Sequence, residues 1–385
     1  MTQWAVHVKA NPYYFLILLV SVVLVGGSYG WLRSDTQGVT ATQAVYQARV
    51  TALGERQVHV QTNTLSGVPI THVNLGFSAT LTQGADRGRV VQGSQTTVDF
   101  GGVQQREVAV GDRVVLQAPA SIGLGVYVFH DYDRMNQVGI LTGLLVVGVV
   151  VFAGFKGLNA LIALGLTLLA VFGVLIPAIM AGHSVYVVTL VVVGYVIVSS
   201  LLLIVGLNKK ALATILGCGA GVLVSSLLMV LMSHLLHLTG AVDSETRSFL
   251  SLHGHQIDIR AVVFAGVIIG CTGAIMDVAM SITSALWEIK MVKPGVTGGE
   301  LWTAGIGVGK DTLGTMLNTL ILAYVGTSLV LLLQIQAHSL PTTAVMNTEL
   351  MVIEFLRAIL GSFGILAAMP VTAWVCVRLY AGQEV

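Results

Sequence analysis

The chain contains few charged residues and only three cysteines, and these shortages narrow the class of protein. Charged residues make up 10% of its 385 residues, against about 25% in an average soluble domain, which excludes an ordinary soluble protein. The formal net charge is only +1, so no overall field attracts nucleic acid or a strongly acidic partner. The cysteines lack ligand spacing and indicate neither a disulfide framework nor a zinc knuckle: Cys218, Cys271 and Cys376.

What the chain has in abundance is hydrophobic residues, which make up 55% of it and form long runs. A helix needs about 20 mainly apolar residues to cross the hydrocarbon of a bilayer. The runs predict eight membrane-spanning helices, spans 1 to 8, at 13–31, 138–155, 158–180, 184–206, 211–236, 261–285, 313–337 and 353–379. Span 1 could also be a cleaved signal peptide, but its long apolar run without an Ala-x-Ala site favours an uncleaved anchor.

The distribution of Lys and Arg predicts the orientation, because cytoplasmic loops retain these residues. With the N-terminus inside, the short outer loops hold only Arg247 and Arg260. We therefore predict a multi-pass membrane protein, with the lipid bilayer as its first partner and both termini cytoplasmic. The basic residues on the cytoplasmic side are then Lys9, Lys156, Lys209, Lys210, Lys290, Lys293, Lys310 and Arg378.

Residues 32–137 form a predicted extracytoplasmic domain between the N-terminal anchor, residues 1–31, and a seven-span membrane domain, residues 138–385. This segment holds 16 of the 37 charged residues. Short alternating runs separated by turn signals predict several short strands, and hence a small all-β domain, a barrel or sandwich that could be OB-like. Only Phe77 and Phe100 are aromatic between residues 50 and 120, so a base-stacking nucleic-acid surface is not expected.

One face of span 6 is polar. From Asp277 the spacing i, i+4, i+7, i+11 reaches Ser281, Ser284 and Glu288, which places all four side chains on one side of a helix. A charge in the hydrocarbon costs about 2.5–3.5 kcal/mol, so a carboxylate at this depth is a functional-site hypothesis. We therefore expect this stripe to bind a solute or ion.

Span 7 begins with a similar stripe, Asp311, Thr315 and Asn318. The two stripes could face each other, joined by a Gly-rich loop over Pro294–Gly309, and bind a small solute or ion or relay protons near the cytoplasmic side. Lys310 lies beside the entry to this helix, whose N-terminus can attract an anion. The alternative is a structural contact in which Ser, Thr and Asn hydrogen bonds hold the helices together.

Catalytic motifs are missing. The run Gly305–Asp311 differs from a phosphate loop, because Ala304 stands where a glycine is needed and Asp311 where a hydroxyl is needed. No set of a nucleophile and a base, and no pair of carboxylates typical of hydrolases, lies at a single depth in the membrane. We therefore expect neither an enzyme nor a cofactor.

A group of histidines flanks the predicted outer loop after span 5 and is a candidate site for a metal ion or a proton sensor. The ligand spacing is loose, and the His-Leu-Leu-His pair lacks the acid of a His-Glu-x-x-His metallopeptidase. A solvated loop is the alternative. The candidate ligands are His234, His237, His253 and His255.

Two segments resemble a known family. Gly-Ala-Ile-Met-Asp-Val-Ala-Met-Ser-Ile at 273–282 and the run Gly309–Tyr324 resemble the YibE/F-like bacterial membrane proteins, and the likeness extends to Val110–Val114 and Tyr127–Arg134. Long members, called YibE, carry an anchor and an outer domain, while the shorter YibF members are largely membrane helices. The chain looks like the long type, although Lys310 stands where the family pattern leads us to expect Arg. The resemblance implies a multi-pass membrane protein and, more loosely, a permease.

These features predict a membrane transporter or permease, or a subunit of one, for a small solute or ion. Asp277 would carry the coupling cation or proton, and Thr315 and Asn318 would orient the solute. Its protein partner would be a second copy of the chain or a YibF-like membrane subunit. The alternative is a non-transporting membrane scaffold or signalling protein whose outer β-domain binds an envelope partner.

Overall fold

The computed structural model describes residues 45–62, 69–84, 86–100, 106–118, 125–240, 257–330, 332–333 and 341–380. Predicted span 1 and the candidate ligands His253 and His255 lie outside these ranges. The chain divides into two compact units, one of Val39–Val151 and one of Met1–Gly38 with Phe152–Val385.

The unit Val39–Val151 contains a closed five-stranded barrel. Its strands are numbered β1 to β5 in chain order, with the bounds Val45–Thr62, Pro69–Leu81, Val90–Phe100, Arg113–Gln117 and Tyr127–Tyr132. They follow each other around the barrel in the order β1-β2-β3-β5-β4, and β4 closes on β1. Neighbours are antiparallel except β3 and β5, which pair in parallel. The predicted small all-β domain is therefore confirmed, and of the two predicted forms, barrel or sandwich, it is a barrel.

The barrel core follows from the alternation of apolar residues along the strands. Every second residue of β2 from Val73 to Leu81 is buried, because successive side chains of a strand point to opposite faces. Phe77 is 1% exposed and packs over Gly93, where a Cβ would lie 2.5 Å from its Cζ. Glycine at this position therefore makes room for the largest side chain of the barrel core.

The chain leaves the barrel directly into a long apolar helix. Helix α1 (Met135–Ala170) continues through a π-helical turn (Val171–Leu175) into α2 (Ile176–Met180). An unbroken helix of 46 residues would be about 69 Å long, more than twice the hydrocarbon thickness of about 30 Å. Gly154 interrupts it with φ 57° and ψ −135°, at the place where the sequence predicts a turn between spans 2 and 3.

Five helices of the described ranges are long and apolar enough to cross a membrane: Met135–Met180, α3 (Val185–Val205), α4 (Lys209–Leu235), α5 (Ile259–Val292) and α8 (Glu349–Tyr380). Predicted spans 4, 5, 6 and 8 are confirmed as long apolar helices, whereas span 7 falls partly in α6 (Gly298–Thr327) and partly outside the described residues. A short helix, α7 (Thr342–Met346), precedes α8.

Glycines bring α4 and α8 close together. A Cβ at Gly217 would lie 2.9 Å from Cβ of Thr372, and one at Gly221 would lie 2.6 Å from the carbonyl oxygen of Gly364. One turn further along α4, Ser225 Oγ donates a hydrogen bond of 2.9 Å to the carbonyl oxygen of Leu360. Small residues that allow backbones to approach are typical of helix contacts in membranes.

The predicted Gly-rich loop over Pro294–Gly309 is wrong, because α6 already begins at Gly298. Thr297 Oγ1 accepts a hydrogen bond from the backbone N–H of Glu300, whose carboxylate accepts one from the N–H of Thr297. This capping box starts the helix. Gly305 and Gly309 then serve packing, since a Cβ at Gly309 would clash with the side chain of Met369 in α8.

Candidate functional site

The polar stripe of α5 shares one side of the helix, as its spacing predicts. Asp277, Ser281 and Glu288 are exposed and Ser284 is half-buried. Ser281 Oγ donates a hydrogen bond of 2.8 Å to the backbone carbonyl of Asp277. The Asp277 carboxylate has neither a hydrogen bond nor an ion pair within the described residues.

The same side of α5 continues towards the start of the helix as a row of glycines that the sequence reasoning did not connect with Asp277. Gly266, Gly270 and Gly273 precede Asp277 at the same spacing of three or four residues and are exposed. A Cβ at Gly266 or Gly273 would meet no atom within 4 Å. We call this surface the α5 polar face: Gly266, Gly270, Gly273, Asp277, Ser281, Ser284 and Glu288.

The α5 polar face differs from the exposed side of α4. From Gly266 to Glu288 the helix rises about 33 Å, close to the full hydrocarbon thickness, without one large apolar side chain on this side. By contrast, α4 exposes Leu223 and Leu227 at 63% and 73%. Large apolar residues suit contact with lipid tails, whereas small and polar ones suit contact with protein or water.

The second predicted stripe lies on the exposed side of α6. Lys310, Asp311, Thr315 and Asn318 are all exposed, and Thr315 Oγ1 donates to the carbonyl oxygen of Thr312 at 2.9 Å. No hydrogen bond or ion pair between side chains joins the α5 and α6 stripes in the part of the chain that the structure describes.

Small and apolar residues make the contact of α6 with its neighbours instead. Gly305 lies against Leu286 of α5 and Ala373 of α8, where a Cβ would come within 3.0 Å of both side chains. Gly309 lies against Ile282 and Met369 in the same way. The two stripes therefore flank this contact and stay accessible from outside the packed core.

A groove of about 300 Å³ lies beside the α5 polar face, between α1, α3 and α5. Its lining is mainly apolar but includes Thr167, Ser200 and Thr272. It reaches Gly273 and Met276, which directly precedes Asp277. The sequence reasoning missed these hydroxyl groups, because they come from three helices and share no local pattern.

The turn between α5 and α6 is held by charged residues. Lys293 Nζ and Glu300 Oε1 are 2.6 Å apart. Hydrogen bonds from Lys293 and then from Thr297 lower the pKa of Glu300 to about 2. In the same turn, Lys290 is 4% exposed and its Nζ donates to the carbonyl oxygen of Pro294. These contacts fix the end of α5 nearest to Glu288.

The candidate metal ligands are only partly described. His234 lies in the last turn of α4, and His237 follows it with a positive φ of 51°. Both side chains are exposed. Among the described residues no group of three or more His, Cys, Asp or Glu side chains could hold a metal ion. Since His253 and His255 lie outside those residues, the four-histidine site stays a prediction.

By helix length and composition these features define a helical membrane protein with a five-stranded β-barrel in a separate unit. Residues 141–382 match the family described as YibE/F-like protein, and since this is more than half of the chain, the chain belongs to that family. The match begins within α1 and leaves the barrel outside it. Comparisons with curated proteins and with solved structures give no match.

Proposed function

We propose that the chain is a membrane transporter or permease, or a subunit of one, in which the α5 polar face forms one side of the path for a small solute or ion. The observation that supports this function is an exposed small and polar face about 33 Å long with an unpartnered carboxylate, Asp277. Ionisable residues in membrane helices face a protein interior or a water-filled cavity, because a charge in lipid is costly. The proposal includes no catalytic activity and no cofactor.

The path needs a second wall, because nothing in the described ranges covers Gly266 or Gly273. A second copy of the chain, or a YibF-like subunit, would supply it in this proposal. In this proposal the exposed residues of α6 also line the path: Lys310, Asp311, Thr315 and Asn318.

We also propose the eight-span topology, with both termini cytoplasmic in a bacterial cell membrane and residues 32–137 outside. The break at Gly154 supports two spans within Met135–Met180. Lys210 at the start of α4 lies within electrostatic range of Lys156, just after this break, and of Glu288 near the end of α5. These three helix ends therefore lie on one side, and their lysines favour the cytoplasmic side.

The experiment that tests transport is a flux assay in proteoliposomes that contain a pH-sensitive or metal-sensitive dye. We expect Asp277→Asn to reduce flux to the level of protein-free vesicles, because the near-isosteric amide cannot carry the coupling charge. Asp86→Asn in an exposed turn of the barrel is the matched control and should keep full flux. Equal flux in wild type and Asp277→Asn would contradict the role of the α5 polar face.

A second candidate is a membrane scaffold or signalling protein whose barrel binds an envelope partner. One observation favours it: every residue of β1 from Thr51 to Val60 is exposed. Val58 and Val60 are apolar residues of this stretch, exposed at 45% and 65%, and exposed apolar patches mark interaction sites. Photo-crosslinking from position 58 in cells tests it, since one defined crosslinked partner together with unchanged phenotype in Asp277→Asn would favour the scaffold.

A further inference from the structure

The barrel unit has an open groove of about 720 Å³ at the end where the chain leaves for α1. Three arginines contribute to its lining, together with an aromatic ring and the first turn of the helix. The charged and aromatic residues of this lining are Arg106, Asp112, Arg113, Tyr132, Asp133 and Arg134. Neither the family match nor the proposed transport path uses this groove.

The position of the lining residues along the chain indicates that the groove lies at a membrane surface. Only Asp133 and Arg134 separate the end of β5 from Met135, the first residue of α1. Val138 in the first turns of α1 both lines the groove and begins a side of exposed large apolar residues that continues through Leu141 and Leu145. Since α1 is part of a candidate membrane span, the groove lies where the hydrocarbon of the bilayer ends and the phosphate layer begins.

Two of the three arginines have partners within the unit. Arg106 Nη2 lies 3.2 Å from Asp112 Oδ1, and Arg134 Nη1 lies 2.7 Å from Asp131 Oδ2. Both guanidinium carbons lie over the ring of Tyr132, at 5.4 and 5.8 Å from its centroid. Each guanidinium carries five N–H donors, so both retain donors for a further anion.

The third arginine, Arg113, carries a positive charge that belongs to neither of these two ion pairs. It is exposed, and its guanidinium has no hydrogen bond or ion pair among the residues that the structure describes. The remaining carboxylate of the groove, Asp133, accepts a hydrogen bond of 3.2 Å from the N–H of Met135, so it is engaged by the positive end of α1. A free guanidinium beside spare donors suits a phosphate group, which arginine binds with two parallel hydrogen bonds.

We propose that this groove binds the phosphate group of a membrane phospholipid. Arg113 contacts the phosphate, Arg106 and Arg134 supply additional donors, and the acyl chains lie along the exposed apolar side of α1. A free phosphate ion would meet the same guanidinium groups but gain nothing from α1. The lipid therefore binds more tightly than the inorganic ion.

The test uses the full-length protein in a non-ionic detergent. The probe is dihexanoyl phosphatidylglycerol below its micelle concentration, titrated by calorimetry, with inorganic phosphate as the second ligand. We expect Arg113→Gln to weaken lipid binding about tenfold, the loss typical of one charge-assisted contact. Arg87→Gln is the matched control, because Arg87 is exposed, lies outside the groove and has no side-chain partner within the described ranges.

Three results would overturn the proposal. They are equal lipid affinity in wild type and Arg113→Gln, an equal loss in Arg87→Gln, and phosphate binding as tight as lipid binding. The last result would indicate an anion site without a lipid. Thermal unfolding shows whether Arg113→Gln folds, and if it does not, Arg113→Lys replaces it. The lysine variant keeps the charge but not the two-donor geometry, so an intermediate lipid affinity supports the proposal and an unchanged one contradicts it.

Discussion

The barrel core and the contact of α4 with α8 in the second unit pack with different classes of side chain. The barrel buries alternating large apolar residues around Phe77, as expected where water drives apolar surface together. The contact of α4 with α8 depends instead on Gly217, Gly221 and Gly364. Lipid tails are as apolar as leucine, so helices in a membrane gain stability from close backbone contact and hydrogen bonds. Removing side-chain volume should therefore destabilise the barrel most. Adding side-chain volume should destabilise the helix contact most.

The largest effect is expected from Phe77→Ala in the barrel. Removing this fully buried ring should lower the free energy of unfolding of the barrel by about 3–5 kcal/mol. Hydrogen exchange of the strands in the full-length protein measures the change. Val58→Ala, at an exposed position of β1, is the control and should change it by less than about 0.5 kcal/mol. Equal effects of the two substitutions would show that Phe77 does not hold the barrel core.

A smaller effect is expected from adding one methyl group between α4 and α8. The Cβ of Gly221→Ala would lie 2.6 Å from the backbone oxygen of Gly364, and overpacking of this kind costs about 1–3 kcal/mol. The measurement is thermal unfolding in detergent. Gly219→Ala in the same helix meets no atom within 4 Å and should be neutral or slightly stabilising. If both variants unfold at the same temperature, the close contact is not a source of stability.

The substitution Gly266→Leu tests whether another subunit covers the α5 polar face in the functional protein. No atom lies within 4 Å of the added Cβ, so the stability of the single chain should change by less than about 1 kcal/mol. A second subunit packed on this face would be displaced, and we expect loss of transport and of oligomers in crosslinking. Leu227→Ala on the exposed side of α4 serves as the control. Unchanged oligomers and flux in Gly266→Leu would place the partner elsewhere.

The smallest effect is a local dependence on pH at the turn between α5 and α6. The pKa of Glu300, which hydrogen bonds from Lys293 and Thr297 lower to about 2, is below its ordinary value of about 4.3. A lowered carboxyl pKa stabilises the folded turn above the ordinary value, and this contribution is lost as pH falls towards 2. The protection factor of the amides at residues 293–300, which corrects the exchange rate for its intrinsic pH dependence, should fall over that interval in wild type. In Glu300→Gln, by contrast, the protection factor should not depend on pH there.

The sequence predicted local features well because they depend on local periodicity. Short alternating runs separated by turn signals predicted the strands of the barrel, and the spacing from Asp277 to Glu288 predicted a shared side of one helix. The prediction failed at Gly298–Gly309, where the density of glycine suggested a loop. Gly305 and Gly309 are positions of close contact with α5 and α8, whereas a Cβ at Gly299 or Gly307 would meet no atom within 4 Å. The reciprocal hydrogen bonds of Thr297 and Glu300, which the sequence reasoning overlooked, start the helix.

Two motifs of the form Gly-x-x-x-Gly show what the sequence by itself determined and what only the tertiary structure decided. Composition and periodicity determined that Gly217 and Gly221 share one side of a helix, as do Gly266 and Gly270, since residues four apart always do. The tertiary structure decided that the first pair is buried against α8 while the second leaves Gly266 open. The difference arises because a glycine motif permits close approach, but distant residues decide which helix approaches. In this chain α8 brings Thr372 and Gly364 to the first pair, and the side of α5 that carries Asp277 stays open for the proposed path.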